Sequence, residues 1–401
     1  MKTKILVRGP VLSQSGYGEQ ARFALRALRS QEDKYDVHIQ PIRWGNTGWV
    51  WEDNDERRWI DEMITKTANY VREGGRFDMS LQVTIPNEWE QLAPVNVGYT
   101  AGIETDRVSP TWLFKANEMS KVVVVSNHSK NVFQSTIAEG IDPNTNNKIK
   151  YELTTPIESV GYAVQNVATE PIENFNPSTN FNFLCVSQWG PRKNFENTIK
   201  WWVEEFHDQD VGLVLKTSIA NNSIIDKTKT NELLMSILSK YENRKCKVYL
   251  LHGDLSAGQM KWMYGHKKIK CLINIAHGEG FGLPLFEAAQ SALPVATIGW
   301  SGQMDYLVHE NVEYFTKIDH KMETIDKDAV WDQVLQADSK WAIAEQGSFK
   351  MQMRKIRKNW KDHKKSAKEL QTIVNNKYTE EVMYKKFCAA IEVSTTESVT
   401  L

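Results

Sequence analysis

His277-Gly-Glu279-Gly-Phe281-Gly282-Leu283-Pro-Leu-Phe-Glu287-Ala-Ala is the stretch that decides the fold. It follows the uncharged apolar run Cys271 to Ala276 and precedes Leu293-Pro294-Val295. A buried run, a glycine loop and an amphipathic stretch, in that order, predict strand, loop and helix. Gly278, Gly280 and Gly282 let backbone amides approach a ligand closely, and the helix that follows turns its positive end toward an anion. Glu279 stands on the loop, and Glu287, eight positions later, falls inside the helix. An ionised carboxylate accepts from both hydroxyls of a vicinal diol, so two carboxylates at this separation can grip two polyol groups of one ligand.

The same alternation runs outward in both directions. Short β-branched runs separated by longer stretches of helical periodicity predict parallel sheets covered by helices. Upstream, the candidate strands are Lys4 to Arg8, Asp36 to Pro41, Asp78 to Val83, Asn96 to Thr100 and Lys121 to Ser126. Around the glycine loop they are Phe181 to Ser187, Val211 to Ser218, Lys247 to Gly253, Cys271 to Ala276 and Leu293 to Ile298. Between the two sets, Thr169 to Thr179 is polar and holds Pro171 and Pro177, so it neither continues a helix nor packs readily as a strand. The expected organisation is α/β, with doubly wound Rossmann-like domains over residues 1–172 and 173–376 and a C-terminal helix within 377–401. In that helix Thr379, Glu380 and Glu381 mark an N-terminus, and Tyr384, Phe387, Cys388 and Ile391 form an i, i+3, i+4, i+7 stripe that needs burial, expected on the first domain. Two such domains facing each other leave a cleft at the carboxyl ends of their strands, where ligands bind in these sheets.

Composition narrows the class. The chain has 401 residues, room for two sizeable cores at about 150 residues per domain. Its 41% apolar and 25% charged residues are those of an ordinary folded chain, which excludes wholesale disorder and fibrous architectures. The longest uncharged apolar runs, Val122 to Val125 and Cys271 to Ala276, fall far short of the roughly 18 residues that span a bilayer. Met1 to Pro10 lacks the apolar stretch of a signal peptide, and a cytoplasmic location is expected. Lys plus Arg is 49 against 50 Asp plus Glu, a net charge of −1, so the whole-molecule field does not decide for or against a polyanionic partner. The four cysteines, Cys185, Cys246, Cys271 and Cys388, form no C-x-x-C pair and are expected to be reduced core residues.

Glu279-x7-Glu287, inside E-G-F-G-L-P-x-x-E-A, resembles the donor-binding motif of retaining glycosyltransferases of GT-B fold, the large nucleotide-sugar-dependent group that includes sucrose synthases and many mannosyl- and glucosyltransferases. The resemblance implies a GT-B fold, with an acceptor-binding first domain and a nucleotide-sugar-binding second domain. It implies that Glu279 and the amides of Phe281, Gly282 and Leu283 meet the donor sugar, and that Glu287 holds the ribose. Phe183-Leu-Cys-Val-Ser-Gln-Trp-Gly-Pro-Arg192-Lys193-Asn194 resembles the family's strand and R-K-N/G loop at the start of the second domain. There Arg192 offers a planar fork and Lys193 a point charge, which together can neutralise a diphosphate leaving group. Arg8-Gly-Pro-Val-Leu-Ser-Gln-Ser-Gly16-Tyr17-Gly18-Glu resembles the family's first glycine loop, which lies against diphosphate and acceptor. Val122-Val-Val-Val-Ser126-Asn-His128-Ser-Lys-Asn-Val-Phe133 matches a further, architectural family pattern. Many members carry a histidine near the donor sugar, whereas the comparable stretch here, Gly98 to Asp106, has none, and Glu104 and Asp106 are its acceptor-side candidates together with Tyr17. The implied catalytic set is Arg192, Lys193 and Glu279, and the donor-binding set is Gly16, Gly18, Phe281, Gly282, Leu283 and Glu287.

The expected activity is retaining transfer of a sugar from a nucleoside-diphosphate donor, a UDP-sugar by family prior, to a hydroxyl of a saccharide or glycoconjugate. No metal and no cofactor is required. Asp53-x-Asp55 and Asp326-x-Asp328 look like the metal pair of the other glycosyltransferase fold, but no buried strand precedes either, and both are expected on the surface. Two features bear on the acceptor. Trp44, Trp49, Trp51 and Trp59 gather four of the 14 tryptophans in one short segment, where rings either stack on a sugar or a base or anchor a loop. From Lys350 to Lys368 nine basic residues face the single acid Asp362, which is either a solvated helix face or one that tracks phosphates or anionic lipid headgroups. Peripheral membrane contact therefore stays open. These features also support an alternative acceptor, duplex DNA carrying hydroxymethylated bases, as in phage glycosyltransferases of this general fold. A non-catalytic sugar-nucleotide-binding protein is the remaining alternative.

Overall fold

The structure is a computed structural model that describes residues 2–141 and 148–393. The chain divides into two compact units, Met1–Ala163 with Val330–Ser339 and Tyr378–Leu401, and Val164–Ala329 with Lys340–Lys377. Unit 1 opens with β1 (Thr3–Gly9), α1 (Gly16–Arg29), β2 (Tyr35–Pro41), α2 (Asp55–Arg72), β3 (Met79–Val83), β4 (Val95–Thr100), α3 (Pro110–Asn117), β5 (Lys121–Val124), α4 (Asn127–Ser135), the hairpin β6–β7 (Ala138–Ile141, Lys148–Tyr151) and β8 (Ile157–Ser159). Unit 2 holds β9 (Asn182–Val186), α5 (Phe195–Phe206), β10 (Gly212–Lys216), α6 (Ile224–Leu238), β11 (Lys247–Leu251), α7 (Ala257–Gly265), β12 (Ile269–Asn274), α8 (Leu283–Gln290), β13 (Val295–Ile298) and the single turn α9 (Met304–Leu307). The hairpin β14–β15 (Val308–His309, Val312–Glu313), β16 (Thr316–Ile318), the hairpin β17–β18 (His320–Thr324, Lys340–Ala344), α10 (Gln346–Lys358) and α11 (Trp360–Lys377) follow, and α12 (Glu380–Ile391) ends the described chain in unit 1.

Each unit is built on a six-stranded parallel sheet, ordered β2-β1-β3-β4-β5-β8 in unit 1 and β11-β10-β9-β12-β13-β16 in unit 2. The ten strands expected from the sequence are all present, and the two short edge strands β8 and β16 are additions. Ile5, Leu6 and Val7 of β1 are all buried, as are Phe183, Leu184 and Cys185 of β9, so helices cover both faces of each sheet. In both sheets the strand order reverses beside the first strand, at β1–β3 and at β9–β12. The connections leaving a reversal point run to opposite faces and open a crevice at the strands' carboxyl ends.

The stripe of α12 is buried on unit 1, as expected. Phe387 lies 5.4 Å from Phe23 of α1 and 4.9 Å from Tyr99 of β4, ring centre to ring centre. Val330–Ser339 also belongs to unit 1 although the chain on either side belongs to unit 2. Val334 is buried among Trp89, Trp112 and Phe133. Gln333, at φ 60°, offers its carbonyl to Ser109 Oγ at 2.7 Å and Asn87 Nδ2 at 3.3 Å, and Asp338 pairs with Arg107. The polar segment Thr169 to Thr179 has neither helix nor strand; it lies in unit 2, where Glu170 accepts from Ser256 Oγ at 2.5 Å. All four cysteines are buried and unpaired. Among the described residues no helix is long and apolar enough to cross a membrane.

Candidate functional site

In unit 2 the connections after β9 and β12 leave the reversal point side by side, and they carry Arg192, Lys193 and Glu279. After β9, Pro191–Lys193 makes one 3-10 turn and Asn194, left-handed at φ 51°, redirects the chain into α5. Lys193 Nζ meets both oxygens of Glu279, at 2.6 and 2.7 Å. Arg192 Nη1 donates to the Gly278 carbonyl at 2.8 Å and stands 3.6 Å from Glu279 Oε2, while the Arg192 carbonyl accepts from His277 N at 2.9 Å. The two connections are thus tied by main chain and side chain alike.

Glu279 is nearly buried. Burial opposes its ionisation, but the charges of Lys193 and Arg192 and the hydrogen bonds from Lys193 and Asn274 outweigh it, holding the carboxyl below the usual range. Its amide donates to Ser301 Oγ at 2.9 Å, and its carbonyl accepts from Gly302 N at 2.9 Å. Gly302 has to be glycine, because a Cβ there would lie 1.9 Å from the Gly280 carbonyl oxygen. Gly282 caps α8 in the left-handed region at φ 87°, and Tyr306 Oη donates to its carbonyl at 2.8 Å. Phe281 is buried against Phe286 and Tyr306, so its ring belongs to the packing under the loop. Leu283 and Pro284 open α8, whose positive end faces the loop.

Glu287 lies in the second turn of α8, half-buried, and takes a hydrogen bond from Tyr264 Oη at 2.8 Å. Lys216, the last residue of β10, has its amine lowered by burial, against the charges of Asp254 and Glu287 that favour its ionised form. No sequence signal separates this lysine from surface lysines. A second group that sequence reasoning missed is Asp226, which accepts from His252 Nε2 at 2.7 Å and from the amides of Ile219, Ala220 and Asn221 at 3.0, 2.7 and 3.1 Å. Burial opposes the charge, yet these donors hold the carboxyl at about 2. Asp226 joins the loops after β10 and β11; Ser223-x-x-Asp226 announces a helix N-terminus in the sequence, but not this second duty. His277 is buried with Nδ1 on the Ala342 carbonyl at 2.8 Å and its ring stacked 4.5 Å from Trp341.

In unit 1, Ser15 caps α1 by accepting from Gly18 N at 3.0 Å. A Cβ at Gly18 would stand 1.9 Å from the Ser13 carbonyl oxygen, whereas one at Gly16 would meet nothing within 4 Å. Tyr17 Oη is 2.7 Å from Thr100 Oγ1 and accepts from Ala101 N at 3.3 Å, and its ring lies 4.2 Å from Trp44. Burial pushes its phenol pKa up, and the charge of Glu104 adds to that more weakly. Burial lowers the His128 imidazole to about 4, against the Ile103 backbone bond and the charge of Asp106.

Arg192, Lys193, Glu279 and the Phe281–Leu283 backbone therefore converge in unit 2, with Glu287 on the same helix, while Gly16, Tyr17, Gly18, Glu104 and Asp106 belong to unit 1. The two features that supported a DNA acceptor also fall in separate units, the tryptophans in unit 1 and the basic stretch in unit 2. That stretch is two helices rather than one, interrupted at Asn359, and Lys350 pairs with Glu204, Arg354 with Glu205, and Lys364 with the Ala292 carbonyl. Asp53 and Asp55 both pair with Arg58.

No protein-family profile and no curated protein matches the sequence. Solved structures do match over the whole chain. The Anabaena protein HepE, in complex with UDP and glucose, is 13% identical with a TM-score of 0.58, covering 97% of this chain and 99% of its own. The sucrose-phosphate synthase of Thermosynechococcus elongatus is 11% identical with a TM-score of 0.62, covering 97% and 98%. The lipopolysaccharide outer core galactosyltransferase WaaB is 12% identical with a TM-score of 0.56, covering 98% and 99%. These neighbours are GT-B glycosyltransferases, and the likeness establishes the fold of this chain as GT-B.

Proposed function

We propose that the protein is a glycosyltransferase that moves a sugar from a UDP-sugar to a hydroxyl of a saccharide or glycoconjugate, with retention of configuration. The observation that carries this reading is the convergence of Arg192, Lys193 and Glu279 at the strand reversal of unit 2, beside the N-terminus of α8. UDP in the HepE complex supports the choice of nucleotide. Glu287 would hold the ribose, Arg192 and Lys193 the diphosphate, and Glu279 with the Phe281–Leu283 amides the sugar. Gly16 and Gly18 would shape the first-domain loop that lies against the diphosphate, with Tyr17, Glu104 and Asp106 on the acceptor side.

In the reaction, the bond between the anomeric carbon and the diphosphate oxygen breaks and its electron pair goes to the leaving UDP. The acceptor oxygen bonds to the same carbon on the same face, and its proton passes to the leaving phosphate. Negative charge grows on that phosphate as the bond breaks, so cations and helix-end amides already in place stabilise the transition state more than the ground state. Charge neutralisation thus falls to Arg192 and Lys193, and the reading requires neither metal nor cofactor. Lys193 is pre-paired with Glu279, so an incoming diphosphate shares or takes a cation that is already positioned.

The test is incubation with a panel of nucleotide-sugars, measuring released nucleoside diphosphate. UDP release from one donor, lost in Glu279→Gln, is expected. Binding of UDP without turnover of any donor would leave a sugar-nucleotide-binding protein instead.

A further inference from the structure

Trp49 and Trp51 are 58% and 69% exposed, although the backbone that carries them is firmly held. Gln14 N donates to the Gly48 carbonyl at 2.8 Å and Val50 N to the Leu12 carbonyl at 2.8 Å. Ser13 and Thr47 hydroxyls meet at 2.6 Å, Ser13 Oγ donates to Ser15 Oγ at 2.9 Å, and Arg57 donates to the Val50 carbonyl. The tryptophan loop is therefore laced to residues 12–15, which end in the cap of α1. Trp44, at the start of the loop, packs on Tyr17 beside the same helix end. Trp49 itself forms an antiparallel bridge with Ser13, and Trp51 follows it two residues on, the spacing at which side chains share a face where the chain is extended. A loose loop would account for exposed indoles; a pinned one that keeps them in water calls for a ligand that covers them.

Local charge states what kind of ligand that is. Between Trp44 and Glu56 there are four carboxylates, Glu52, Asp53, Asp55 and Glu56, and no cation. Arg58 is shared by Asp53 and Asp55, Glu56 pairs with Arg26, and Arg57 is held by Asp61 and the Val50 carbonyl, so acids still outnumber cations around the indoles and Glu52 has no ion pair among the described residues. Such a surface repels phosphate, sulfate and carboxylate groups. It suits an uncharged molecule with an apolar face for the indoles and hydroxyls that donate to carboxylates, which describes a pyranose ring.

We infer that Trp49 and Trp51 form a stacking platform for a neutral oligosaccharide, which Glu52 and Asp53 hold by accepting from its hydroxyls, and that this platform selects the acceptor. The selection of an acceptor rests on the transferase reading above; the binding of a neutral glycan does not. The platform excludes duplex DNA and anionic glycans by charge, whatever the donor.

The full-length protein is applied to an array holding neutral hexose and N-acetylhexosamine oligosaccharides, sialylated and sulfated glycans, and a duplex DNA oligonucleotide, with UDP binding followed in parallel by calorimetry. Retention of neutral oligosaccharides is expected, weakened about tenfold or more in the W49A/W51A variant by the loss of two stacking rings. Trp51→Phe should recover part of that loss, and UDP affinity should not change, because neither indole is among the residues proposed to hold the donor. Equal glycan retention by W49A/W51A, retention of no neutral oligosaccharide by a protein that binds UDP, or tryptophan-dependent retention of DNA or anionic glycans would each overturn the platform. Tryptophan-dependent glycan retention without UDP binding would uphold the platform and sink the transferase reading.

Discussion

Lys193 shows how one residue carries both stability and chemistry. Its ammonium compensates a Glu279 carboxylate that is only 8% exposed, and removing it leaves that buried charge with only Asn274 at 3.0 Å and Arg192 at 3.6 Å. Lys193→Ala should lower the stability of the chain by about 3–5 kcal/mol and also abolish UDP release. The double variant Lys193→Ala/Glu279→Gln should recover much of the stability and none of the turnover, which thermal unfolding and a UDP-release assay separate. A double variant as unstable as the single one would mean that the pair is not the source of the loss. Acid should unfold the protein through the same kind of group. Glu279 and Asp226 both ionise more easily folded than unfolded, so the stability they contribute is complete above their unfolded values and lost as pH falls through the folded ones. For Asp226 that window runs from the ordinary aspartate value of 3.8 down to about 2. Asp226→Asn should cost about 1–3 kcal/mol at neutral pH, since buried donors lose a charged acceptor, and should flatten this acid limb in a pH series of denaturant midpoints.

At the scale of the element, the two glycines of the α1 loop are not equivalent. In the sequence they form one G-x-G, but only Gly18 faces a backbone carbonyl that a Cβ would strike. Gly18→Ala should therefore destabilise unit 1 by about 1–3 kcal/mol or more through overpacking and shift the capped turn to which the tryptophan loop is laced. Gly16→Ala, with open space around it, should stay within about 0.5 kcal/mol. Chemical denaturation of the two variants side by side checks the contrast. The basic stretch teaches a related point. Residue spacing predicts one cationic helix, whereas the break at Asn359 and the pairing of Lys350, Arg354 and Lys364 divide its charges between structure and solvent.

For the molecule as a whole, chain order and core membership part company at Val330–Ser339. Val334 follows unit 2 residues in sequence but helps fill the unit 1 core beside Trp89 and Trp112. Val334→Ala should cost about 1.5–3 kcal/mol from lost methyl burial and the cavity it leaves. Native-state hydrogen exchange should then show faster opening of β4 and β5 with the amides of β9 and β12 unaltered. Equal acceleration in both sheets would show instead that the two cores unfold as one.

Much of this architecture is local in origin and therefore legible in the residues. A parallel strand buried on both faces must be a short apolar run, a helix on such a sheet must carry an apolar stripe, and a glycine loop between them must be written in glycine. Hence the ten principal strands, the stripe of α12 and the loop from His277 to Leu283 were readable in order. The segments bearing Arg192, Lys193 and Glu279 were readable too, because each sits at the end of such a run. Their resemblance to a known motif, rather than their chemistry alone, suggested that they act together. What only the tertiary structure decided are the relations between distant residues. These are the grip of Lys193 on Glu279, the partial burial of Lys216, the ties of Asp226 to His252 and three amides, the entry of Val334 into the unit 1 core, and the lacing that holds two indoles in water. Each depends on which chain segments the strand order brings side by side, and that order is set by the packing of whole sheets and helices, which no window of neighbouring residues contains.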